Sequence, residues 1–250
     1  MKFAANLGRL WVEVPYLDRF EAAALAGFDG VAVPFPYEMA AKETKRAMLR
    51  SGLPVVQISA PPPNYTGGAR GFAAVPELTG RFQYDLRRAL RYCQELRVPV
   101  LQIMAGEASG DTARQTLLDN LRFASGQLPS GMVLTLEPQA QKGAFLNDFD
   151  VAASVIEELD LPNIGLQFHS KHAHLIHGSA VSTFEKYGHI TRHIQLADAP
   201  LGRALGSGEI EFLDLMAAIK AVGYDDWIVA DFECIGPTED CIGSFLSLVG

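Results

Sequence analysis

The 250-residue sequence predicts an α/β fold in which eight parallel strands close into one barrel, a single (β/α)8 domain over residues 1–250. Eight short apolar runs recur along the chain, and a segment with helical periodicity follows nearly every one. About 250 residues is also the usual length of such a barrel. An open doubly wound sheet usually has fewer strands, and its glycine-rich phosphate turn is absent after the first run, where Gly8 stands alone.

The predicted strands are the apolar runs Lys2–Leu7, Gly30–Phe35, Pro54–Ala60, Val98–Ala105, Met132–Glu137, Ile164–His169, His193–Asp198 and Trp227–Phe232. Helical periodicity is clearest after the third run, where five residues approximate one stripe of a helix: Leu78, Phe82, Leu86, Leu90 and Tyr92. Asn147 precedes another amphipathic segment, and we expect it to be the N-cap of that helix.

The composition narrows the function classes. The formal net charge of −8 argues against a nucleic-acid partner, because phosphate binding depends on Lys and Arg, but a small anionic substrate stays open. No run of about 18 apolar residues appears, so we expect no membrane partner. Cys93, Cys234 and Cys241 are odd in number and widely spaced, which predicts reduced thiols in a cytoplasmic protein. Nothing in the residues decides whether the chain forms a homo-oligomer.

Polar residues end the last four predicted strands. Glu137 and His169 end the fifth and sixth, and Gln195 and Asp231 lie near the ends of the seventh and eighth. The active site of a parallel barrel lies at this end of the strands, so we expect these side chains to converge. Two carboxylates, an imidazole and an amide oxygen could bind a divalent ion such as Mg²⁺ or Mn²⁺. The two carboxylates could also transfer a proton, although polar residues here could simply begin loops and cap helices.

Several motifs follow one another in a specific order. They are FAANL near the start, RFEAAALAGFDGVAVPFPYE from Arg19, GARGFAAVP, LEPQ, HIQLADAP, GSGEIEF and GYDDWIVADF. In this order and spacing the chain resembles the hydroxypyruvate isomerase family, within the xylose-isomerase-like TIM barrels, over most of its length. The resemblance implies a metal-dependent interconversion of hydroxypyruvate and tartronate semialdehyde through an enediolate.

The resemblance also implies roles for individual residues. Glu137 matches a family residue that binds the metal and acts as acid or base, and Gln195 matches a metal ligand. His169 falls where the family has a metal-binding Asp, and His172 matches a histidine three residues later in the pocket. Asp231 falls on the second carboxylate, a family Glu that binds metal and transfers protons.

At several strand ends the chain departs from the family. His169 replaces a carboxylate, Asp231 is one methylene shorter than Glu, and the strand-two Glu is Ala32. In the third strand, Ile58 and Ser59 stand near the position of a family histidine. These changes affect the predicted substrate and chemistry more than the predicted fold.

Loops near the barrel mouth supply further candidates. Arg70 could hold a substrate carboxylate through its guanidinium, or could be a surface residue. Glu209 lies in the turn GSGEI, whose N–H groups could meet an anion, or which could simply start a helix. Lys171 could likewise bind a carboxylate or be exposed. We expect His174 and His177 to lie on the following helix or loop.

Three functions remain open at this point. The first is an isomerase of a small hydroxy-carbonyl acid, with Glu137 and Asp231 as the proton-transfer pair. The second is an isomerase or epimerase of a longer sugar or 2-oxo-acid sugar, in a pocket remodelled by Ala32, Ile58 and His169. The third is a metabolite-binding barrel that has lost its metal and its chemistry. Apurinic-site endonuclease activity, known among proteins of this fold, fits poorly with the net charge of −8.

Overall fold

A computed structural model describes residues 1–60 and 71–249. Within them, eight parallel strands form a closed barrel in chain order, which confirms the predicted fold class. All eight predicted strands are present, most of them shortened at one or both ends. They are β1 (Lys2–Asn6), β2 (Gly30–Ala32), β3 (Val55–Ala60), β4 (Val100–Ile103), β5 (Val133–Leu136), β6 (Ile164–His169), β7 (Thr191–Leu196) and β8 (Trp227–Ala230).

Helices surround the barrel. They are α1 (Arg19–Leu25), α2 (Ala41–Ser51), α3 (Thr79–Leu96), α4 (Gly110–Ser125), α5 (Phe149–Leu159), α6 (Ser170–His177), α7 (Ala180–Tyr187), α8 (Phe212–Ala221) and α9 (Gly243–Val249). In α3 the predicted stripe holds, because Phe82, Leu86 and Leu90 are all buried. In residues 1–60 and 71–249 none of the helices is long and apolar enough to cross a membrane.

The start of α5 corrects one prediction. Asp148, not Asn147, is the N-cap: its side chain accepts a hydrogen bond of 2.7 Å from the backbone N–H of Asp150. The helix begins at Phe149, one residue later than expected, so the capping position moves by one residue as well. An aspartate there satisfies a free N–H of the first turn as well as an asparagine would.

The apolar core lies mainly between the strands and the surrounding helices, and it includes the buried rings of Phe20, Phe82, Phe149 and Phe184. A second small cluster joins β1, β2, β3 and β8 through Ala4, Ala32, Val56 and Val229. The interior near the carboxyl ends of the strands is different, because hydrogen-bonded polar side chains occupy it.

The cysteines correct another prediction. Cys234 and Cys241, expected to be reduced thiols, form a disulfide, while Cys93 is buried and free. The segment after β8 turns back through Thr238–Asp240 and brings the two Cα atoms to 5.9 Å, within the range that a disulfide spans. Spacing along the chain did not reveal this turn.

Candidate active site

The four polar residues predicted at the ends of β5 to β8 lie around one cavity. Glu137, His169, Gln195 and Asp231 all line a space of about 880 Å³ at the carboxyl ends of the strands. Parallel strands bring these ends to the same face of the barrel, so residues far apart in the chain meet there. His172, in the first turn of α6, lines the same cavity.

Glu137 is a buried carboxylate held by neutral amides. Its Oε2 accepts hydrogen bonds from the amides of Gln167, at 2.7 Å, and of Gln102. Burial raises the pKa of the Glu137 carboxyl to about 7, and the Asp231 charge acts in the same direction while His169 opposes it. A carboxyl with that pKa can both take and give a proton near neutral pH.

A chain of hydrogen-bonded polar side chains holds the two glutamines that contact Glu137. Gln167 also donates to Gln195 Oε1, at 3.0 Å, and its own Oε1 accepts from Thr135 at 2.9 Å. Gln102 Oε1 accepts from Ser59 at 2.5 Å. These contacts fix the amide orientations, so that both N–H donors point at Glu137.

The sequence patterns did not reveal Gln102 or Gln167. Each is a polar residue inside an otherwise apolar strand, and Gln167 lies two positions before the strand-end residue His169. Side chains two apart in a strand face the same side, so this spacing was the signal that could have revealed Gln167.

Asp231 has different surroundings. Asn6, also missed from sequence, donates to its Oδ1 at 2.5 Å, and His169 Nε2 lies 3.1 Å from its Oδ2. Arg9 Nε lies 3.7 Å from Oδ1, and Arg9 also donates to Glu233 at 2.5 Å. Asn6 therefore donates to one carboxylate oxygen, and a ring nitrogen of His169 lies within hydrogen-bond distance of the other.

His172 is a neutral imidazole, and one hydrogen bond fixes which of its ring nitrogens carries the proton. Its Nδ1 accepts a hydrogen bond of 3.2 Å from the backbone N–H of Ala140. Burial lowers the pKa of His172 to about 2, and the charges of His169, Lys171 and Arg9 act in the same direction. The proton of the neutral ring is then on Nε2, which lies 3.7 Å from Glu137 Oε1.

The donor set fits a divalent ion. Ligand atoms of Glu137, His169 and His172 lie within 4.8 Å of one another. His169 Nδ1 is buried and has no hydrogen-bond partner in the described part of the chain, as expected of a nitrogen with a free lone pair. Because Nε2 of His172 carries the proton, His169 is the better imidazole ligand and His172 the better hydrogen-bond donor. A carboxylate and an imidazole suit Mn²⁺, Fe²⁺ or Zn²⁺ better than Mg²⁺.

One other predicted residue, Glu209, is not brought into this site. Glu209 is exposed, lies 3.2 Å from His174 Nε2, and is not among the described residues that line the cavity. Its position therefore does not support the predicted contact with substrate. Arg70 lies outside the described residues. His177 is on α6 as expected, 3.5 Å from Asp148.

The GSGEI turn binds an anion that belongs to the protein itself. The backbone N–H groups of Gly206 and Gly208 donate to Asp198 Oδ2, at 2.9 and 2.8 Å. Ile210 and Ala199 donate to the other oxygen. A Cβ on Gly208 would lie 1.9 Å from the carbonyl oxygen of Ala199, so a larger residue does not fit there. The turn fixes the loop after β7, and these four N–H groups are not available to a substrate.

Comparisons with known proteins show which family the chain is similar to. Residues 20–242 match the family model described as "Xylose isomerase-like TIM barrel". A 2-oxo-tetronate isomerase of Pectobacterium atrosepticum is 33% identical over 97% of this chain and 95% of its own. A hydroxypyruvate isomerase of Escherichia coli is 28% identical, with 96% of each chain covered.

A solved structure, titled as an AP endonuclease of family 2 from Brucella melitensis, is 30% identical with a TM-score of 0.94 over 98% of each chain. A 3-keto-D-glucoside 4-epimerase of E. coli has a TM-score of 0.80 at 20% identity and covers 100% of this chain and 99% of its own, which shows a shared fold. The curated relatives confirm the prediction of an isomerase. The chain belongs to the xylose isomerase-like TIM barrel family.

Proposed function

We propose that this protein is an isomerase that moves a carbonyl group between adjacent carbons of a short hydroxy-2-oxo acid. The observation that carries the proposal is the pair of carboxylates in one cavity, one buried among neutral amides and one surrounded by charged and polar donors. Such a pair separates the two proton transfers that an enediolate mechanism needs.

Glu137 is suited to the carbon-bound proton. It removes the proton from the hydroxyl-bearing carbon, the C–H electron pair forms the C=C bond of the enediolate, and the carbonyl oxygen becomes negative. It keeps this proton briefly and returns it to that oxygen later; burial, which raises the pKa of the metal-free carboxyl, favours the protonated form. The amides of Gln102 and Gln167 hold the carboxylate in place meanwhile.

Asp231 is suited to the second transfer. It accepts the hydroxyl proton and delivers it to the former carbonyl carbon, which becomes the new C–H carbon while the old hydroxyl oxygen becomes the carbonyl. Both carboxylates then return to their starting forms. The Nε2–H of His172 lies close enough to Glu137 to donate to a substrate oxygen bound beside it.

Glu137 and His169 would hold a divalent ion, with Gln195 and Asp231 as further oxygen ligands in the same cavity. Such an ion would polarise the substrate carbonyl and stabilise negative charge on the enediolate. It would add to the roles of Glu137 and Asp231 and would replace neither.

Two substrates are the leading candidates. Hydroxypyruvate has three carbons, whereas 2-oxo-tetronate has four. The relatives named for 2-oxo-tetronate are 31–33% identical, against 28–30% for those named for hydroxypyruvate or putatively so. We therefore place 2-oxo-tetronate first and hydroxypyruvate second.

The test is a substrate screen of the purified protein with each acid, monitored by proton NMR, before and after treatment with a chelator. We expect turnover of 2-oxo-tetronate to exceed that of hydroxypyruvate, and the chelator to abolish it. Turnover of neutral ketoses alone would favour a sugar epimerase instead. No turnover, together with no metal bound or recovered on titration, would favour a metabolite-binding barrel.

A further inference from the structure

Three of the described residues that line the cavity carry a cationic side chain: Arg9, Arg19 and Lys171. Arg19 donates to the backbone carbonyls of Leu7 and Val14, at 2.8 and 3.0 Å, so its guanidinium holds the loop after β1. Carboxylates already surround Arg9, as described above. The N–H groups of Arg19 are therefore engaged by backbone carbonyls and those of Arg9 by carboxylates.

Lys171 differs from both arginines. It is half-buried in the first turn of α6, between His169 and His172, and within residues 1–60 and 71–249 it forms no hydrogen bond or ion pair. The undescribed residues 61–70 contain no Asp or Glu that could pair with it. A half-buried ammonium with no ion-pair partner at contact distance is stabilised when an anion binds beside it.

The side chain of Lys171 is held at the cavity. A Cβ placed on Gly202 would lie 3.1 Å from Lys171 Nζ and 3.2 Å from its Cδ, so the stem rests on the backbone of the β7–α8 loop. Gly202 also lines the cavity. Burial raises the pKa of Glu137, and the positive charge of Lys171 is among the charges that lower it. The ammonium therefore lies within electrostatic reach of the carboxylate.

We propose that Lys171 Nζ binds the carboxylate of the substrate and so makes the site selective for 2-oxo acids over neutral sugars. The inference rests on the proposed function and names the group that recognises its substrate class. The carboxylate lies next to the carbonyl in a 2-oxo acid. An ammonium at the start of α6 therefore holds the substrate in the cavity that Glu137 and Asp231 line.

Glycerate is a suitable probe, because it carries the carboxylate and a hydroxyl but has no carbonyl to isomerise. Calorimetric titration should show that Lys171→Met, which keeps the stem and removes the charge, weakens glycerate binding about 10- to 100-fold. Lys171→Arg should recover most of the affinity. Lys220→Met, the same change at an exposed position on α8, should leave it within about twofold of wild type.

Kinetics give a second readout. For a 2-oxo acid, Lys171→Met should raise KM about 10- to 100-fold and change kcat much less, because it removes binding that ground state and transition state share. Equal thermal midpoints for both methionine variants would exclude misfolding. The inference fails if wild type does not bind glycerate, or if Lys171→Met binds it within about threefold of wild type.

The outcomes also separate this inference from the proposed function. A wild-type protein that isomerises a 2-oxo acid, with an unchanged KM in Lys171→Met, would retain the function and remove the role of Lys171. A protein that binds glycerate through Lys171 and isomerises neither acid would keep the anion site and overturn the proposed reaction.

Discussion

The two carboxylates of the cavity differ in the groups that hold them. Two neutral amides reach Glu137, from Gln102 and Gln167, and burial raises its pKa. Asp231 accepts from the amide of Asn6 and lies beside the imidazole of His169, with a guanidinium 3.7 Å away. Surroundings of this kind separate the roles of two chemically similar groups. From this difference we infer that Glu137 transfers the carbon-bound proton and that Asp231 transfers the hydroxyl proton.

Glu137→Gln should have the largest effect. The change keeps the shape and the amide contacts but removes the base, so kcat should fall about a thousandfold or more for the preferred 2-oxo acid. Steady-state assays check this against Glu157→Gln, the same substitution at an exposed position on α5. A Glu137→Gln variant within about tenfold of wild type would remove Glu137 from the chemistry.

Asp231→Asn should have the next largest effect. An amide in place of the carboxylate turns an N–H group toward donors on Asn6 or His169, and it can no longer accept a proton. We expect kcat to fall about a hundredfold. Asp225→Asn, exposed just before β8, is the matched control. A loss as large as that of Glu137→Gln would mean that the two carboxylates share one role.

The raised pKa of Glu137 also predicts how stability depends on pH. Between about pH 4.5 and 7 the folded state binds a proton at Glu137 that the unfolded state has released, so this contribution to stability is lost as pH rises. With a chelator present, the difference in unfolding free energy, Glu137→Gln minus wild type, should therefore increase by roughly 3 kcal/mol as the pH rises across that range. Urea unfolding at several pH values measures it, and a flat difference would contradict the raised pKa.

The strand pattern was enough to predict the barrel, because alternating apolar runs and amphipathic helices leave few other arrangements. It also placed Glu137, His169, Gln195 and Asp231 around one cavity, since parallel strands end on the same face. The N-cap of α5 lies one residue later than predicted, at Asp148, because a sequence pattern determines the ends of a helix less well than its presence.

Contacts between distant segments could not be predicted in the same way. The amides on Glu137, the Asn6 contact with Asp231 and the Cys234–Cys241 disulfide depend on side-chain directions and turns that no local pattern fixes. Glu209 shows that a local motif leaves the position of a side chain open. Its motif resembled the family, but the turn around it uses its N–H groups on Asp198 and leaves Glu209 exposed beside His174.

Solvent hydrogen exchange tests the separate roles of the two carboxylates most directly. In D₂O, proton NMR should show deuterium replacing the hydrogen on the hydroxyl-bearing carbon of the preferred 2-oxo acid with wild-type protein. Asp231→Asn should still catalyse this exchange while completing little isomerisation, because Glu137 remains able to remove the proton. Glu137→Gln should catalyse none. Exchange that survives in Glu137→Gln and disappears in Asp231→Asn would contradict the assignment of the two roles.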